Sequence, residues 1–161
     1  MPTPDSVSGK SQTGWIFIKN GAPISWRSNK QTTTTTSTNH AELLAFYEAS
    51  REAVWLRTMQ TAISTMAGFN IPNKPTTNFE DNAACIEQVS SGFIKSDRVK
   101  HINPHIFGYT QELTDTGQIQ IMKVASAENI ADVLTKALPA PQHRKLTAAA
   151  GMRTLAELSS E

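Results

Sequence analysis

Apolar residues recur at alternating steps of three and four between positions 42 and 63, which is the spacing of one helical face. That face comprises Glu42, Phe46, Ala49, Ala53, Leu56, Gln60 and Ile63. Ser37, Thr38 or Asn39 can cap the helix, and Gly68 can end it. The pattern therefore predicts a long helix that begins near residue 38, ends near residue 66 and turns this face toward the rest of the protein.

Upstream of this helix, two short apolar runs flank a turn signal. Residues 15–18 and 24–26 read as strands, and Asn20 and Gly21 lie between them. An Asn-Gly pair between two apolar runs is a strong hairpin signal. We expect an antiparallel hairpin here, followed by a Thr-rich connection into the long helix.

The second half of the chain alternates further strand and helix patterns. It predicts a strand at 76–80, a short helix at 83–90, a helix at 106–113 that ends near Gly117, and a strand at 119–124. A helix over 128–138 follows, and residues 142–158 form an amphipathic helix broken at Gly151. The order β-β-α-β-α-α-β-α indicates an α/β domain with a mixed β-sheet.

Composition limits the classes of protein that the chain can represent. Its 161 residues carry a net charge of +1, so no global electrostatic field marks a nucleic-acid binder, and any basic patch is local. The single Cys85 excludes an internal disulfide, and its apolar neighbours favour a small core residue over a nucleophile. Neither a secretory signal nor an apolar run of membrane-spanning length is present. We expect an intracellular protein, cytoplasmic or nuclear, that does not act at a membrane.

Three carboxylates occupy positions that are suited to binding a metal ion. Glu42 heads the inward face of the long helix, Asp81 directly follows a strand, and Asp132 lies early in the 128–138 segment after another strand. Like charges that converge need cations between them, and a set of oxygen ligands suits Mg²⁺ or Mn²⁺. Two such ions are the usual device for attack on a phosphodiester.

Each carboxylate also has a purely structural interpretation. Glu42 can be a solvated residue that the helix dipole favours near the start of the long helix. Asp81 can be the cap of the short helix that follows it. Asp132 can form an exposed helical ion pair with Lys136, four residues later.

Seven ordered segments of the chain resemble the ribonuclease H domain at the end of copia-type LTR-retrotransposon Pol polyproteins. They are KSQTGW (10–15), PISWRSNKQ (23–31), STNHAE (37–42), EAVWLR (52–57), EDNAA (80–84), KHIN (100–103) and ADVLTK (131–136). The resemblance covers roughly residues 8–150. It implies a ribonuclease H-like fold, with helices flanking a mixed sheet over residues 11–140. Residues 1–10 would then be a disordered leader, and residues 141–161 a C-terminal helix and tail. Trp55 would pack as a core residue.

The resemblance also implies an activity: Mg²⁺- or Mn²⁺-dependent cleavage of the RNA strand of an RNA–DNA hybrid. By motif match, Glu42, Asp81 and Asp132 would be the catalytic metal ligands. A basic segment could track the phosphates of the hybrid, although a solvated basic turn is the alternative. Its residues are Lys95, Arg98, Lys100 and His101. An upstream reverse transcriptase domain in the parent polyprotein would be the protein partner.

In that family a fourth carboxylate, an Asp, lies in a first strand upstream of the position that KSQTGW matches. This chain offers no such strand before Gln12. Asp5 lies in polar sequence, without a strand that would hold its side chain in position. We therefore expect the first strand of the fold to be missing and the isolated chain to be an impaired nuclease with little or no turnover. The alternatives are a non-enzymatic transposon relic or co-opted module that binds nucleic acid or protein, and an unrelated α/β binding domain.

Overall fold

The computed structural model describes residues 10–31, 38–91 and 104–159. In chain order, the elements are β1 (Gln12–Lys19), β2 (Ala22–Lys30), α1 (Thr38–Met66), β3 (Thr76–Glu80), α2 (Ala83–Ser91), α3 (Pro104–Asp115), β4 (Ile119–Lys123), two 3-10 turns (Ser126–Glu128 and Ile130–Leu134), α4 (Ala140–Ala149) and α5 (Leu155–Leu158). The chain divides into two units. We call residues 1–34 with 125–161 the hairpin unit, and residues 35–124 the parallel-sheet unit.

The hairpin unit is built on the antiparallel pair β1 and β2. Asn20 and Gly21 join the strands with φ angles of 53° and 79°, as a two-residue turn of this kind requires. Thr13 and Trp15 share the inward face of β1 and are buried. The predicted hairpin is confirmed, with strands longer than the apolar runs alone indicated.

The predicted helix over 128–138 is wrong. Two 3-10 turns stand in its place. They are separated at Asn129, which adopts an extended conformation and whose side chain accepts a hydrogen bond from the backbone N–H of Ala131. A helix cannot continue through a residue that caps it. After Pro139, α4 and α5 are separated at Gly151, as predicted, where φ is +90°.

The parallel-sheet unit contains α1, whose bounds agree with the predicted helix. Strands β3 and β4 pair in parallel, from Thr76 opposite Ile119 to Glu80 opposite Lys123, and α2 and α3 lie between them in the sequence. The buried apolar residues of this unit are Ala41, Leu43, Phe46, Ala53, Cys85, Val89, Ile106, Phe107, Leu113 and Ile119. The burial of Cys85 confirms its predicted place in the core.

The α/β class is confirmed, but the sheet differs from the prediction. Across the described residues the four strands form two separate two-stranded sheets, one antiparallel and one parallel, and not a single mixed sheet. Within the same ranges, no helix combines the length and the apolar character that crossing a membrane requires.

The inward face of α1 also differs from the predicted one in its second half. Leu43, Phe46 and Ala53 are buried, but Ile63 is 60% exposed and Trp55 is 54% exposed. The expectation that Trp55 packs in the core is therefore wrong. Beyond Ala53, the helix is held instead by Arg57, which donates hydrogen bonds to the backbone oxygen of Lys74 (2.6 Å) and to the side chain of Asn73.

Candidate functional site

Glu42 lies in the second turn of α1, in the parallel-sheet unit, and its side chain is half-buried. The start of the helix is tied to α2, because the Asn39 amide donates a hydrogen bond of 2.9 Å to Oε1 of Gln88. Leu43 and Phe46, which flank Glu42 on the buried side, anchor this part of α1 in the core. The backbone that carries Glu42 is therefore fixed to both the core and α2.

Asp81 directly follows β3 and is half-buried in the same unit. The residue that caps α2 is Asn82, whose Oδ1 accepts hydrogen bonds from the backbone N–H groups of Ala84 (2.9 Å) and Cys85 (3.2 Å). The structural interpretation of Asp81 as the helix cap is therefore wrong. Asp81 instead occupies the carboxyl end of a parallel strand, where α/β sheets commonly hold their ligands.

Glu80 is a third carboxylic acid at this strand end, and the sequence analysis did not single it out. It is only 8% exposed, and its Oε1 accepts a hydrogen bond of 2.9 Å from the backbone N–H of Asn82. The pKa of Glu80 is raised to about 7, mainly by burial. The hydrogen bond from the Asn82 N–H opposes this increase, and the carboxylates of Glu42 and Asp81 contribute to it. One signal was available: Asn78 and Glu80 alternate on one face of β3, and both are buried.

The effect of these charges extends to the first turn of α2. Cys85 is fully buried there, and burial raises the pKa of its thiol far above the ordinary value. Glu80, Glu42 and Asp81 raise that pKa further, in this order. The structure thus brings Glu42 and Asp81 into one electrostatic neighbourhood around Glu80. We call Glu42, Glu80 and Asp81 the carboxylate cluster.

The carboxylate cluster is chemically suited to a hard divalent cation. Its donors are all oxygens, which Mg²⁺ and Mn²⁺ prefer, and Glu42 and Asp81 both act electrostatically on the buried Glu80. Among residues 10–31, 38–91 and 104–159, no group of three His, Cys, Asp or Glu side chains is already arranged to hold a metal ion. The cluster therefore provides ligands of the right type, not a preformed cage.

Asp132 belongs to the hairpin unit, in the 3-10 turn Ile130–Leu134. This turn packs closely on β1 because Gly14 has no side chain: a β-carbon there would lie 2.5 Å from Cγ2 of Thr135. The hydroxyl of Ser28 on β2 donates a hydrogen bond of 2.6 Å to the backbone oxygen of Leu134. The segments KSQTGW and ADVLTK of the sequence analysis thus meet within this unit.

The Asp132 side chain forms the ion pair with Lys136 that was considered as its structural interpretation, with Oδ1 2.9 Å from Nζ. The pair is not an exposed helical pair, however. Asp132 is 8% exposed and lies in a 3-10 turn, whereas the side chain of Lys136 is 49% exposed. Lys136 is thus a cation that balances a buried carboxylate.

The structure places the three predicted ligands in two units: Glu42 and Asp81 in one, Asp132 in the other. Several predicted positions lie outside the described residues. These are Asp5 and the basic segment Lys95, Arg98, Lys100 and His101. Their assignments therefore stay predictions.

Comparison with known proteins gives matches over most of the chain. It is 30% identical over 135 residues, 84% of its length, to the retrovirus-related Pol polyprotein from transposon TNT 1-94 of Nicotiana tabacum. It is 27% identical over 128 residues to the corresponding polyprotein from transposon RE2 of Arabidopsis thaliana. The chain spans only 10% and 8% of these two proteins, respectively.

A shorter match has higher identity. Over 59 residues, which are 35% of this chain and 42% of the relative, the chain is 46% identical to the secreted RxLR effector protein 161 of Plasmopara viticola. No protein-family model matches the chain, and no solved structure matches it.

Proposed function

We propose that this chain, a transposon-derived relative of retrotransposon Pol polyproteins, is a ribonuclease H-like segment whose activity is metal-dependent cleavage of RNA in RNA–DNA hybrids. The ordered motifs of the sequence supply the family argument, and the matches to Pol polyproteins over 80% or more of the chain support it. The ribonuclease H activity itself is the proposal.

One structural observation carries the proposal: Glu42 and Asp81, 39 positions apart in the sequence, share an electrostatic neighbourhood around the buried Glu80. Random placement of two acidic residues on a surface would leave them solvated and apart, since like charges repel. Here a long helix and a parallel strand end bring both carboxylates within electrostatic range of Glu80. Such an arrangement is costly unless a cation offsets it.

In the proposed function, Glu42 and Asp81 hold Mg²⁺ or Mn²⁺ through carboxylate oxygens, and Asp132 is the third catalytic carboxylate that the family motif implies. Bound divalent ions supply Lewis-acid stabilisation of a phosphoryl group and an activated water. Glu80, with a pKa of about 7, holds a proton part of the time at neutral pH and so limits the charge that the cluster must accommodate. Its hydrogen bond to the N–H of Asn82 also fixes the turn that carries Asp81.

The basic segment has a role in the same proposal. Lys95, Arg98, Lys100 and His101 would bind the phosphates of the hybrid, because closely spaced cations release condensed counterions from a nucleic acid. Within a longer polyprotein, the partner of this segment would be a reverse transcriptase domain.

The direct test is single-turnover cleavage of a labelled RNA–DNA hybrid with excess protein, with and without Mg²⁺ or Mn²⁺. We expect slow, strictly metal-dependent cleavage of the RNA strand by this polypeptide, with Glu42, Asp81 and Asp132 as the carboxylates that bind the metal. Glu42→Gln and Asp81→Asn should abolish it, and so should Asp132→Asn.

The matched control is Glu87→Gln, which neutralises an exposed carboxylate of α2 outside the cluster and should leave cleavage unchanged. Hybrid binding without any metal-dependent cleavage would overturn the proposal in favour of a non-enzymatic binding module. Cleavage that survives Glu42→Gln would show that the activity comes from elsewhere.

A further inference from the structure

A second group of side chains in the parallel-sheet unit lies where α1 and α3 meet. Tyr47 and Arg51 are four residues apart on α1, and His105 and Tyr109 are four residues apart on α3, so each pair projects from one side of its helix. We call these four residues the aromatic cluster. It contains both tyrosines of the 161-residue chain.

The rings are packed in a defined geometry. Tyr47 meets Tyr109 edge-to-face at 5.5 Å between centroids and meets His105 edge-to-face at 6.3 Å. The rings of His105 and Tyr109 are nearly parallel, with an interplanar angle of 8°. The guanidinium carbon of Arg51 lies 5.9 Å from the centre of the Tyr47 ring, within cation–π range.

The rings of the aromatic cluster connect the two helices near the surface of the unit. The same two helices also carry fully apolar buried residues, among them Leu43 and Phe46 on α1 and Ile106 and Phe107 on α3. Arg51 and His105 are exposed, and both tyrosines are half-buried. The contacts among the rings therefore hold them in a fixed arrangement that is partly exposed at the surface of the unit.

The charge around the cluster is nearly balanced. Burial raises the pKa of the Tyr109 hydroxyl, the Arg51 guanidinium opposes this, and Tyr47 and the carboxylate of Glu112 add to it. With one cation and one anion beside the rings, attraction of phosphates is weak. What the surface offers is ring faces that are already ordered, together with one guanidinium.

From this geometry we infer that the aromatic cluster is a stacking surface for unpaired bases of a nucleic acid strand. Aromatic side chains stack on every base, since each base has a π face, and Arg contributes a cation–π contact or a phosphate contact. Bases inside a duplex are stacked on one another, so a blunt hybrid offers no free base to the aromatic cluster. A hybrid with a single-stranded extension does offer such bases. The inference rests on the proposed function only in that both take a nucleic acid as ligand.

The test compares two fluorescein-labelled probes by anisotropy with the full chain: a blunt RNA–DNA hybrid, and the same hybrid with a single-stranded overhang. The overhang should tighten binding. Tyr109→Ala should weaken binding of the overhang probe by about 5- to 100-fold, since that is the range for loss of one stacked base, and it should not weaken binding of the blunt probe. His105→Ala, at an exposed position, should act in the same direction.

Two control variants test whether the loss of affinity is due to the Tyr109 ring itself. Tyr109→Phe removes only the hydroxyl and should keep the affinity. Phe69→Ala removes an exposed ring of the same unit outside the cluster and should change nothing. Because stacking is not an ionic contact, the slope of affinity against salt should be the same in wild type and Tyr109→Ala.

The inference is overturned if the overhang adds no affinity, if His105→Ala and Tyr109→Ala both bind like wild type, or if Tyr109→Phe loses as much as Tyr109→Ala. Its failure is distinguishable from failure of the nuclease proposal. Glu42→Gln should abolish cleavage and leave binding of the overhang probe intact, whereas His105→Ala should weaken that binding without removing any ligand of the carboxylate cluster.

Discussion

Gly14 of β1 and Thr135, at the end of the 3-10 turn that carries Asp132, meet at a point where no side chain fits on the glycine. A β-carbon at position 14 would lie 2.5 Å from Cγ2 of Thr135 and 3.0 Å from the β-carbon of Leu134. The close packing of these two segments therefore depends on a hydrogen atom at Gly14. The position of the Asp132 backbone in the hairpin unit depends on that packing.

The first prediction follows from this contact. Gly14→Ala should lower the free energy of unfolding by about 1–3 kcal/mol, the usual cost of forcing a group into a packed site. Gly108→Ala is the control: it lies in α3, and a β-carbon there would meet nothing within 4 Å. Alanine favours a helix over glycine, so this variant should be neutral or more stable. Equal free energies of unfolding for wild type and Gly14→Ala, measured by urea unfolding, would show that position 14 is not tightly packed.

The second prediction concerns Glu80 and pH. Its pKa is about 7 in the folded chain and 4.5 as the ordinary value, so the folded state binds the proton more tightly. Protonation of Glu80 therefore stabilises the folded state. This stabilisation is complete below pH 4.5 and is lost as the pH rises through 7. Its size is about 3 kcal/mol, from the conversion of a pKa difference to free energy.

Urea unfolding of wild type and Glu80→Gln between pH 4.5 and 8 measures this effect. The stability of wild type should fall relative to that of Glu80→Gln as the pH rises, because the neutral amide has no proton to lose. Glu87→Gln, an exposed neighbour on α2, should follow the wild-type curve. A wild-type curve parallel to that of Glu80→Gln would mean that Glu80 is not the titrating group.

An element of the fold could be predicted from the sequence where the residues that determine it lie within the element itself. The bounds of α1 and the turn at Asn20 and Gly21 follow from periodicity, caps and turn residues that lie within the elements themselves. The 3-10 turns did not, because an apolar pattern at residues 130, 133 and 134 fits either helix type. The Asn129 side chain caps the second turn, and such a cap can also precede either helix type.

The site was predictable in part for the same reason. Glu42 and Asp81 stand at a helix start and a strand end, positions that sequence patterns locate well. The burial of Glu80 depends on residues from other elements that pack against β3. The sequence pattern of β3 alone does not reveal them. The packing of the turn that carries Asp132 likewise depends on Gly14, more than 100 residues away in the sequence.

The third prediction tests Lys136 as the partner of a buried carboxylate. Lys136→Met keeps the aliphatic stem and removes the ammonium, which leaves Asp132 buried without that charge. Because Lys136 is half exposed, water replaces part of the interaction, and we expect a loss of about 1 kcal/mol. Lys145→Met is the matched control, since the Lys145–Glu128 pair is exposed on both sides and should contribute less than about 0.5 kcal/mol. A larger loss for Lys145→Met in thermal unfolding would reverse this ranking.

The last prediction joins the carboxylate cluster to metal binding without depending on cleavage. A ligand that binds only the folded chain stabilises it by an amount set by its concentration relative to Kd, about 1.4 kcal/mol at ten times Kd. Mg²⁺ should therefore raise the unfolding temperature of wild type in a saturable way. The rise should vanish in Glu42→Gln and Asp81→Asn, because each removes a carboxylate of the cluster, and should persist in Glu87→Gln. Sodium chloride at matched ionic strength separates binding from screening, which acts on all exposed charges alike. If sodium chloride reproduces the rise, or if Glu42→Gln keeps it, the carboxylate cluster is not a Mg²⁺ site.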